Sequence, residues 1–247
     1  MNIRFDGKTI IVSGAGHGIG RAIAHSFASL GATVHGCDLN AAELAETAKG
    51  QAGIHTRVLD LTDRAAATEW VRGIGPVFCL VNNAGGVAGQ VMRPIEEVTD
   101  ADWDRIFAVN VGAAMALSRA AAPAMKQAGE GRIVNISSGA GLQASLTGIQ
   151  AYCSAKHAVV GLTRQLAHEL GRFNITVNSV APGFIRSNET TERQWESYGT
   201  EGQKALVERI AMHKLGTAQD IANAVIFFAS PLAGFVNGQI ISVDGGR

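Results

Sequence analysis

The sequence has few residues of the kinds that mark disulfide-bonded, metal-binding or strongly charged proteins. Its three cysteines, Cys37, Cys79 and Cys153, are far apart and form no CxxC or Cys/His spacing. This predicts buried, reduced thiols, with no disulfide framework and no metal site. Lysine and arginine total 21, and aspartate and glutamate also total 21. With this balance, no overall field attracts nucleic acid or anionic lipid.

Long apolar segments are also scarce. No apolar run approaches the ~20 residues of a transmembrane helix. The first residues, Met1–Gly7, contain no apolar core of a signal peptide. We therefore expect a cytoplasmic protein that has neither a membrane nor a nucleic acid as partner.

Glycine, by contrast, is abundant. The chain has 30 glycines, about 12% against an average of about 7%. Many follow short apolar runs, which indicates tight turns and close approach of the backbone to a ligand. The 247 residues contain no linker, charge block or repeat, so we expect one domain over residues 1–247.

Short β-branched segments alternate with longer alanine-rich segments of helical period. Repeated alternation predicts βαβ units, and therefore an α/β fold in which helices cover both faces of a doubly wound parallel sheet. The predicted strands are Lys8–Val12, Thr33–Cys37, His55–Leu59, Val77–Val81, Arg132–Ile136, Thr176–Val180 and Gln239–Ser242. The predicted helices are Gly20–Leu30, Ala41–Lys49, Arg64–Arg72, Asp100–Gln127, Ala151–Arg172, Gln203–Met212 and Ala218–Ser230.

Two segments interrupt this alternation: Gly85–Thr99 after the fourth strand, and Ala181–Lys204 after the sixth. Ligands of such sheets bind beyond the carboxyl ends of the strands. We therefore expect both segments at a binding site.

A glycine-rich turn joins the first strand to the first helix, with the sequence Ser13-Gly14-Ala15-Gly16-His17-Gly18-Ile19-Gly20. Glycines there permit close approach to a pyrophosphate, and the helix N-terminus offers free N–H groups. Asp38 ends the second strand, where its carboxylate can bind the hydroxyls of an adenosine ribose and repel a 2′-phosphate. The pattern predicts NAD rather than NADP as cofactor, with a contact between His17 and a phosphate left open.

Tyr152 and Lys156 are four residues apart on a predicted helix and so share a face. An ammonium group near a phenol lowers the phenol pKa from ~10 toward neutrality. Such a phenol can take a proton from an alcohol or return one to a carbonyl oxygen. The pair therefore predicts acid/base chemistry, although the same spacing alone would also fit a solvated helix face.

Further motifs follow in a fixed order along the chain. They are Asp60-Leu61, Asn82-Asn83-Ala84-Gly85, Asn110, Ser137-Ser138, Tyr152-Cys153-Ser154-Ala155-Lys156 and Pro182-Gly183. Together with the glycine-rich turn, they resemble the short-chain dehydrogenase/reductase family over essentially the whole chain. The resemblance implies a single Rossmann-like domain with seven parallel strands in the order 3-2-1-4-5-6-7.

The resemblance also implies catalytic roles. Tyr152 would be the general acid/base, and Lys156 would bind the nicotinamide ribose and polarise Tyr152. Ser138 would hydrogen-bond the substrate oxygen, and Asn110 would hold a water in a proton relay. We prefer Ser138 to Ser137 because adjacent residues leaving a strand point to opposite sides.

The cofactor contacts that the resemblance implies come from all parts of the chain. They are Gly14, His17, Gly18, Ile19, Gly20, Asp38, Leu39, Asp60, Leu61, Asn83, Ala84, Gly85, Tyr152, Lys156, Pro182, Gly183, Ile185 and Ser187. Asp60-Leu61 would meet the adenine, Asn83–Gly85 the adenosine ribose, and Pro182-Gly183 the nicotinamide carboxamide.

The segment at about 184–212 is expected to cover the substrate as a lid. Between Ser187 and Lys204 it has no aliphatic residue, and its polar groups suit hydroxyls or a carboxylate. We therefore expect a small polar substrate such as a polyol, sugar derivative or hydroxy acid. Its predicted contacts are Ser138, Gln150, Tyr152, Arg186 and Trp195. The alternative is that these polar groups face water while Val91, Met92 and Leu142 line the pocket.

The family resemblance further implies a homotetramer, in which the helices Asp100–Gln127 and Ala151–Arg172 pair with their copies. Arg247 would lie near the other two-fold axis, within reach of a neighbouring subunit. Close helix packing would use Ala113, Ala114, Ala116, Ala120, Ala121 and Ala122. The alternative is a helix that packs only on its own sheet.

The sequence thus predicts an NAD-dependent oxidoreductase that interconverts a secondary alcohol and its ketone. One alternative is a 3-oxoacyl-carrier-protein reductase. Asp38 counts against it, because that reaction commonly uses NADPH. The other is a nucleotide-sensing regulator without catalysis, but a sensor needs no proton-transfer pair such as Tyr152 and Lys156.

Overall fold

A computed structural model describes residues 3–247. Seven parallel strands form one sheet in the order β3-β2-β1-β4-β5-β6-β7, which confirms the predicted topology. The strands are β1 Thr9–Ser13, β2 Thr33–Asp38, β3 Ile54–Val58, β4 Cys79–Asn82, β5 Gly131–Ile136, β6 Ile175–Pro182 and β7 Ile240–Val243. The order reverses between β1 and β4, and this point is where such sheets bind ligands.

Helices cover both faces of the sheet, as predicted. They are α1 Gly18–Ser29, α2 Ala41–Ala48, α3 Arg64–Ile74, α4 Asp100–Phe107, α5 Ala113–Ala128, α6 Gln150–Leu170, α7 Glu189–Ser197, α8 Gly199–Glu208 and α9 Ala218–Ala229. One core lies between the sheet and α1, α2 and α9, around Phe27 and Val225. The other lies between the sheet and α3, α5 and α6, around Trp70 and Leu117.

The predicted helix Asp100–Gln127 is not regular throughout. A π-helical turn, Ala108–Gly112, separates α4 from α5 and contains Asn110. Such turns insert one residue into a helix and are frequent at functional sites.

The segment after β6 is more helical than predicted. Residues 189–197, expected to be irregular, form α7, which begins at a reciprocal cap between Asn188 and Thr191. The predicted helix Gln203–Met212 was wrong in its bounds, since α8 runs from Gly199 to Glu208. The apolar residues that suggested a longer helix include Ile210, which is buried beyond the end of α8.

The continuous helix Asp100–Ala128 is long and apolar enough to span a membrane by length and composition, contrary to the expectation that no segment is. Its most apolar window is 56% buried inside the protein, however. The α5 part packs against α3 and the sheet. Core helices of this kind pass the same test, so the helix is no evidence for a membrane span.

The alanines of α5 pack within the protein itself. Five of the six named above are buried in the single chain, and Ala122 is partly buried against the same core. Close packing on the sheet and on α3 therefore accounts for these small residues. They are covered within the single chain, and the pairing of this helix with a second copy stays a prediction.

Two of the three cysteines match the expectation of buried, reduced thiols. Burial raises the pKa of both Cys37 and Cys79 to about 12. Cys153 is only half-buried, and its thiol donates to the carbonyl oxygen of Ala140 at 3.3 Å. Within residues 3–247, no three His, Cys, Asp or Glu side chains are grouped as a metal site.

Candidate active site

The glycine-rich turn has no room for side chains at the positions that the sequence singled out. Gly14 and Gly18 have φ angles of 65° and 55°, which glycine adopts without strain. A Cβ atom on Gly14 would lie 2.9 Å from the Cα atom of Ala84, and one on Gly20 would overlap the carbonyl oxygen of Gly14. The turn is therefore a bare-backbone cradle at the N-terminus of α1.

Ser13 and Asn83 hold this turn against the end of β4. The Oγ atom of Ser13 accepts hydrogen bonds from the amides of Asn83 and Ala84, both at 3.0 Å. The side-chain amide of Asn83 donates to the carbonyl oxygens of Ser13 and Gly14, at 3.0 and 2.9 Å. Ser13 was not among the predicted site residues, although its position at the head of the glycine-rich turn could have indicated this role.

Asp38 lies at the end of β2 with its carboxylate against the turn. One oxygen accepts from the amide of Gly16 at 3.0 Å, and the other from the amide of Asn40 at 3.2 Å. The helix cap of α2 is supplied by Asn40, so Asp38 is not needed for that purpose. Leu39 and His17 are exposed beside it.

Asp60 and Leu61 end the third strand region but face different surroundings. The carboxylate of Asp60 accepts from the backbone amide and hydroxyl of Thr62, and these bonds hold the pKa of Asp60 below its usual value. Leu61 is buried in the core beside α3. Asp60 thus shapes the local turn before α3, and its contact with adenine stays a prediction.

Lys156 is buried at the centre of the predicted catalytic group. Burial lowers the pKa of its ammonium to about 8. Its Nζ atom donates to the carbonyl oxygen of Ile136 at 3.0 Å and lies 5.7 Å from the centre of the Tyr152 ring. A cation is therefore held near the phenol on the same face of α6.

Tyr152 does not have the lowered pKa that the sequence led us to expect. In the protein alone, burial raises the pKa of the phenol, and a hydrogen-bonding contact with Ser138 opposes this only in part. The reason is that desolvation penalises the phenolate, while Lys156 donates to a backbone carbonyl and lies over the ring. The expected lowering was therefore wrong for the protein by itself.

The two serines after β5 face different ways. Ser137 is buried, and its hydroxyl donates to the carbonyl oxygen of Lys156 at 3.1 Å. Ser138 is half-buried and contacts Tyr152, while its Oγ atom accepts from the amide of Ala140 at 3.1 Å. Of the two, Ser138 is thus the hydroxyl on the side of Tyr152.

Asn110 links the π-helical turn to the segment after β4. Its side-chain amide donates to the carbonyl oxygens of Gly86 and Ile106, and its carbonyl oxygen accepts from the amide of Gly86 at 3.0 Å. A Cβ atom on Gly85 would lie 3.5 Å from Nζ of Lys156 and would overlap the Asn110 side chain. Asn110, Gly85 and Lys156 are therefore brought together, as predicted for one site.

The residues after β6 pass close to the glycine-rich turn. Gly183 donates to the carbonyl oxygen of Val243 at 3.0 Å, and Ile185 is buried and bridges to Gly216. A Cβ atom on Gly18 would lie 2.8 Å from the carbonyl oxygen of Ser187. The start of the lid is thus fixed beside the cradle.

The predicted substrate residues make contacts within the protein. Gln150 donates to the carbonyl oxygen of Arg93 at 2.8 Å. Arg186 pairs with Glu192 at 2.7 Å and lies over the ring of Trp195, and this ion pair raises the pKa of Arg186. Trp195 stacks on Phe184. The lid cation at Arg186 is therefore neutralised by the lid itself.

Aliphatic side chains lie exposed on the two segments beside Tyr152. A Cβ atom on Gly148 would lie 2.6 Å from Cγ of Met92, so the segment after β4 meets the segment between Ser138 and α6. The exposed aliphatic residues on these segments include Val91, Met92, Leu142 and Leu146. This aliphatic rim is a feature to which the sequence argument gave less weight.

The arrangement fits a dinucleotide cofactor. The bare-backbone cradle has the free helix N-terminus that a pyrophosphate needs. Asp38 beside it offers a carboxylate for ribose hydroxyls, and Lys156 and Tyr152 lie beyond the neighbouring strand ends. Gly14, Gly18 and Gly20 have no room for side chains of their own, because the backbone of the turn and the side chains of Asn83 and Ser187 pack against them.

Comparisons with known proteins agree with this arrangement. Residues 14–247 match the family described as enoyl-(acyl carrier protein) reductase. The chain is 34% identical to 3-oxoacyl-[acyl-carrier-protein] reductase of Thermotoga maritima over 252 residues, covering 99% of both chains. It is 36% identical to 7alpha-hydroxysteroid dehydrogenase of Escherichia coli over 253 residues, covering 99% of this chain and 96% of the relative.

A solved structure is similar over the same length. It is a proposed NAD(P)-dependent gluconate 5-dehydrogenase from Beutenbergia cavernae, with NADP bound at low occupancy. The TM-score is 0.89 with 36% identity, and the match covers 99% of this chain and 98% of the other.

Proposed function

The chain belongs to the short-chain dehydrogenase/reductase family and is an oxidoreductase of alcohol or ketone groups, and we propose that it uses NAD to interconvert a secondary alcohol and its ketone. The observation that carries the proposal is the grouping of Tyr152, Ser138 and Lys156 beside the bare-backbone cradle. The same grouping argues against a purely nucleotide-sensing regulator, which needs no such acid/base set.

In the direction of oxidation, Tyr152 first loses its proton to solvent, and its phenolate then takes the proton of the substrate hydroxyl while Ser138 hydrogen-bonds the same oxygen. The bound nicotinamide supplies the hydride-accepting group. Lys156, buried and close to the phenol ring, adds a positive charge that favours the phenolate as the proton moves. Asn110 fixes the segment at Gly86 and so holds Gly85 next to Lys156.

The preference for NAD rests on Asp38. Its carboxylate is held by the amides of Gly16 and Asn40 at the place where a ribose hydroxyl would bind, and it would repel a 2′-phosphate. We expect Asp38→Ala to lose about 1–3 kcal/mol of selectivity for NAD, the value of charge-assisted hydrogen bonds. Asp38→Asn keeps the size and shape of the side chain but removes its charge. Comparing it with Asp38→Ala therefore separates the effect of charge from the effect of size. Equal use of NAD and NADP by the wild-type protein would contradict the proposal.

The substrate that we propose is small and polar: a polyol, a sugar derivative or a hydroxy acid. Between Ser187 and Lys204 the lid has no aliphatic residue, and its two aromatic residues, Trp195 and Tyr198, pack on Phe184. Gln150 stands at the start of α6, two residues before Tyr152. A screen of NAD-dependent oxidation over polyols, sugar acids, hydroxy acids and steroids tests this. Catalytic efficiency at least tenfold higher for a steroid or an acyl substrate would contradict it.

The aliphatic rim at Val91, Met92, Leu142 and Leu146 favours a second candidate, a substrate with an apolar body. Burying such a body against these side chains would contribute about 25 cal/mol per Å². A 3-oxoacyl thioester is the form that the carrier-protein alternative would take. Reduction of such a thioester with NADPH, faster than any oxidation with NAD, would favour this alternative.

We further propose a homotetramer located in the cytoplasm. Phe235 is fully exposed, Leu232 is exposed three residues before it in the chain, and Ile241 is exposed on the edge strand β7. Such an apolar edge is protected when it pairs with another chain. Light scattering at micromolar concentration should give four times the mass of the chain, and Phe235→Asp should lower it. A monomeric wild-type protein would contradict the assembly, and cell fractionation tests the location.

A further inference from the structure

A charged cluster lies against the glycine-rich turn, on the side away from the catalytic group. Arg21 of α1 donates to the carbonyl oxygen of Gly16, at 2.5 Å from Nη2, and to the carboxylate of Glu43, also at 2.5 Å. Its Nε atom donates to the hydroxyl of Thr47 at 3.0 Å. Thr47 is fully buried, and its hydroxyl lies 2.9 Å from the carbonyl oxygen of Ala15. Side chains of α1 and α2 therefore hold the carbonyl oxygens of Ala15 and Gly16, the two residues before His17.

The cluster adjoins Asp38 through Gly16. The amide of Gly16 donates to Asp38, while its carbonyl oxygen accepts from Arg21. A Cβ atom on Gly16 would lie 2.9 Å from the Asp38 carboxylate and 3.2 Å from Cβ of Glu43. Asp38 and Glu43 therefore flank the same residue, and Arg21 is the cation between the turn and α2.

If the positive charge of Arg21 were not paired with a carboxylate, it would attract the 2′-phosphate of NADP and so weaken the selectivity for NAD. A guanidinium near a ribose is the group that binds a phosphate most strongly, through paired charge-assisted hydrogen bonds. In this structure the guanidinium of Arg21 is paired with the carboxylate of Glu43 instead of a phosphate. Its remaining hydrogen bonds go to Gly16, Thr47 and the backbone of Glu43. The formal charges of Asp38, Arg21 and Glu43 leave one net negative charge beside the turn.

We propose that Glu43 is a second determinant of NAD selectivity, a positioning residue that holds Arg21 on the turn and cancels its charge. The inference rests on the proposed use of NAD. It assigns different roles to the two carboxylates: Asp38 faces the ribose, whereas Glu43 acts through Arg21. Removing the charge of Glu43 should then let Arg21 attract a 2′-phosphate.

The test measures binding of NADH and NADPH to the protein alone, by nucleotide fluorescence, so no substrate is needed. In Glu43→Gln, the affinity for NADPH relative to NADH should rise on the order of tenfold, as expected for one unit charge near a phosphate close to a protein surface. Glu46→Gln, in the same helix and paired with exposed Lys49, is the matched control and should leave the ratio unchanged. The double variant Glu43→Gln/Arg21→Gln should lose the gain.

Three results would overturn the proposal. One is a folded Glu43→Gln, or Glu43→Ala where the Gln variant does not fold, with an unchanged ratio. Another is an equal loss of affinity for both nucleotides, which would make the cluster merely structural. The third is a gain that persists in the double variant. If the wild-type protein binds neither nucleotide, the proposed function fails as well, and this result is seen before any variant is made.

Discussion

Replacing the buried Lys156 by methionine should stabilise the fold while it removes the ammonium from the site. Burial lowers the pKa of Lys156 from 10.5 to about 8. Each unit of such a shift is worth about 1.4 kcal/mol, so keeping this lysine protonated in the folded state costs about 3 kcal/mol at pH 7. Methionine fills similar space with no charge.

The increase in stability of Lys156→Met is smaller than this cost, because the carbonyl oxygen of Ile136 loses its hydrogen-bond donor in the variant. An unsatisfied buried acceptor costs about 1–3 kcal/mol. We therefore expect Lys156→Met to raise the free energy of unfolding by up to about 2 kcal/mol at pH 7, while substrate turnover is lost. Such a trade between stability and function is common at active sites.

The sign of the pH dependence follows from the lowered pKa. Between pH 8 and 10.5 the unfolded wild-type chain binds the lysine proton and the folded protein does not, so wild-type stability relative to the variant rises with pH. The advantage of Lys156→Met should therefore be full below pH 8 and shrink above it. Methionine donates no hydrogen bond to Ile136 at any pH, so near pH 10.5 the variant should be no more stable than wild type.

The assay is urea unfolding without added nucleotide, at one protein concentration, at pH 7 and pH 9.5. Lys49→Met is the matched control, because the Lys49 side chain is 74% exposed and its loss should change stability by less than about 0.5 kcal/mol. A Lys156→Met protein that is less stable than wild type at pH 7, or whose difference does not change with pH, would refute this reasoning.

Three further predictions test other parts of the site. Gly20→Ala should abolish nucleotide binding or folding, measured by fluorescence titration and circular dichroism, because its Cβ atom would overlap the carbonyl oxygen of Gly14; a normally binding variant would contradict the cradle. Asn110→Ala should lower turnover and speed amide exchange at Gly86, whose amide loses its acceptor; unchanged exchange there would count against the link. A thiol reagent at pH 8 should modify Cys153 alone in the native protein, since Cys37 and Cys79 are buried with a pKa of about 12, and modification of all three before unfolding would disagree.

Much of the fold could be predicted from the sequence, because buried parallel strands leave continuous apolar runs. β1 and β4 to β6 are buried along nearly all of their length. The start of a helix could also be predicted where a capping side chain precedes it, as Asn40 precedes α2. The π-helical turn at Asn110 could not be predicted, since the alanine-rich sequence that follows it has small residues on every face of α5 and defines no sharp apolar stripe.

For the site, spacing along the chain indicated which residues lie close together, but not their pKa values or their hydrogen-bond partners. Tyr152 and Lys156 share a face of α6 as their spacing requires. The raised pKa of Tyr152 depends on burial and on Lys156 donating to Ile136, a carbonyl from a different strand. Likewise, the charge of Arg186 suggested a substrate contact, whereas its pairing with Glu192 depends on α7, which composition alone did not predict.

The central claim is that Tyr152 transfers the proton in an alcohol–ketone reaction. The most direct measurement compares Tyr152→Phe with wild type for NAD-dependent alcohol oxidation, and determines NADH affinity in the same preparations. Loss of the phenol hydroxyl should lower kcat by about 10²–10⁴-fold, the usual value of general acid/base catalysis, while NADH affinity stays within about threefold of wild type. A Tyr152→Phe protein that keeps wild-type kcat would contradict the claim.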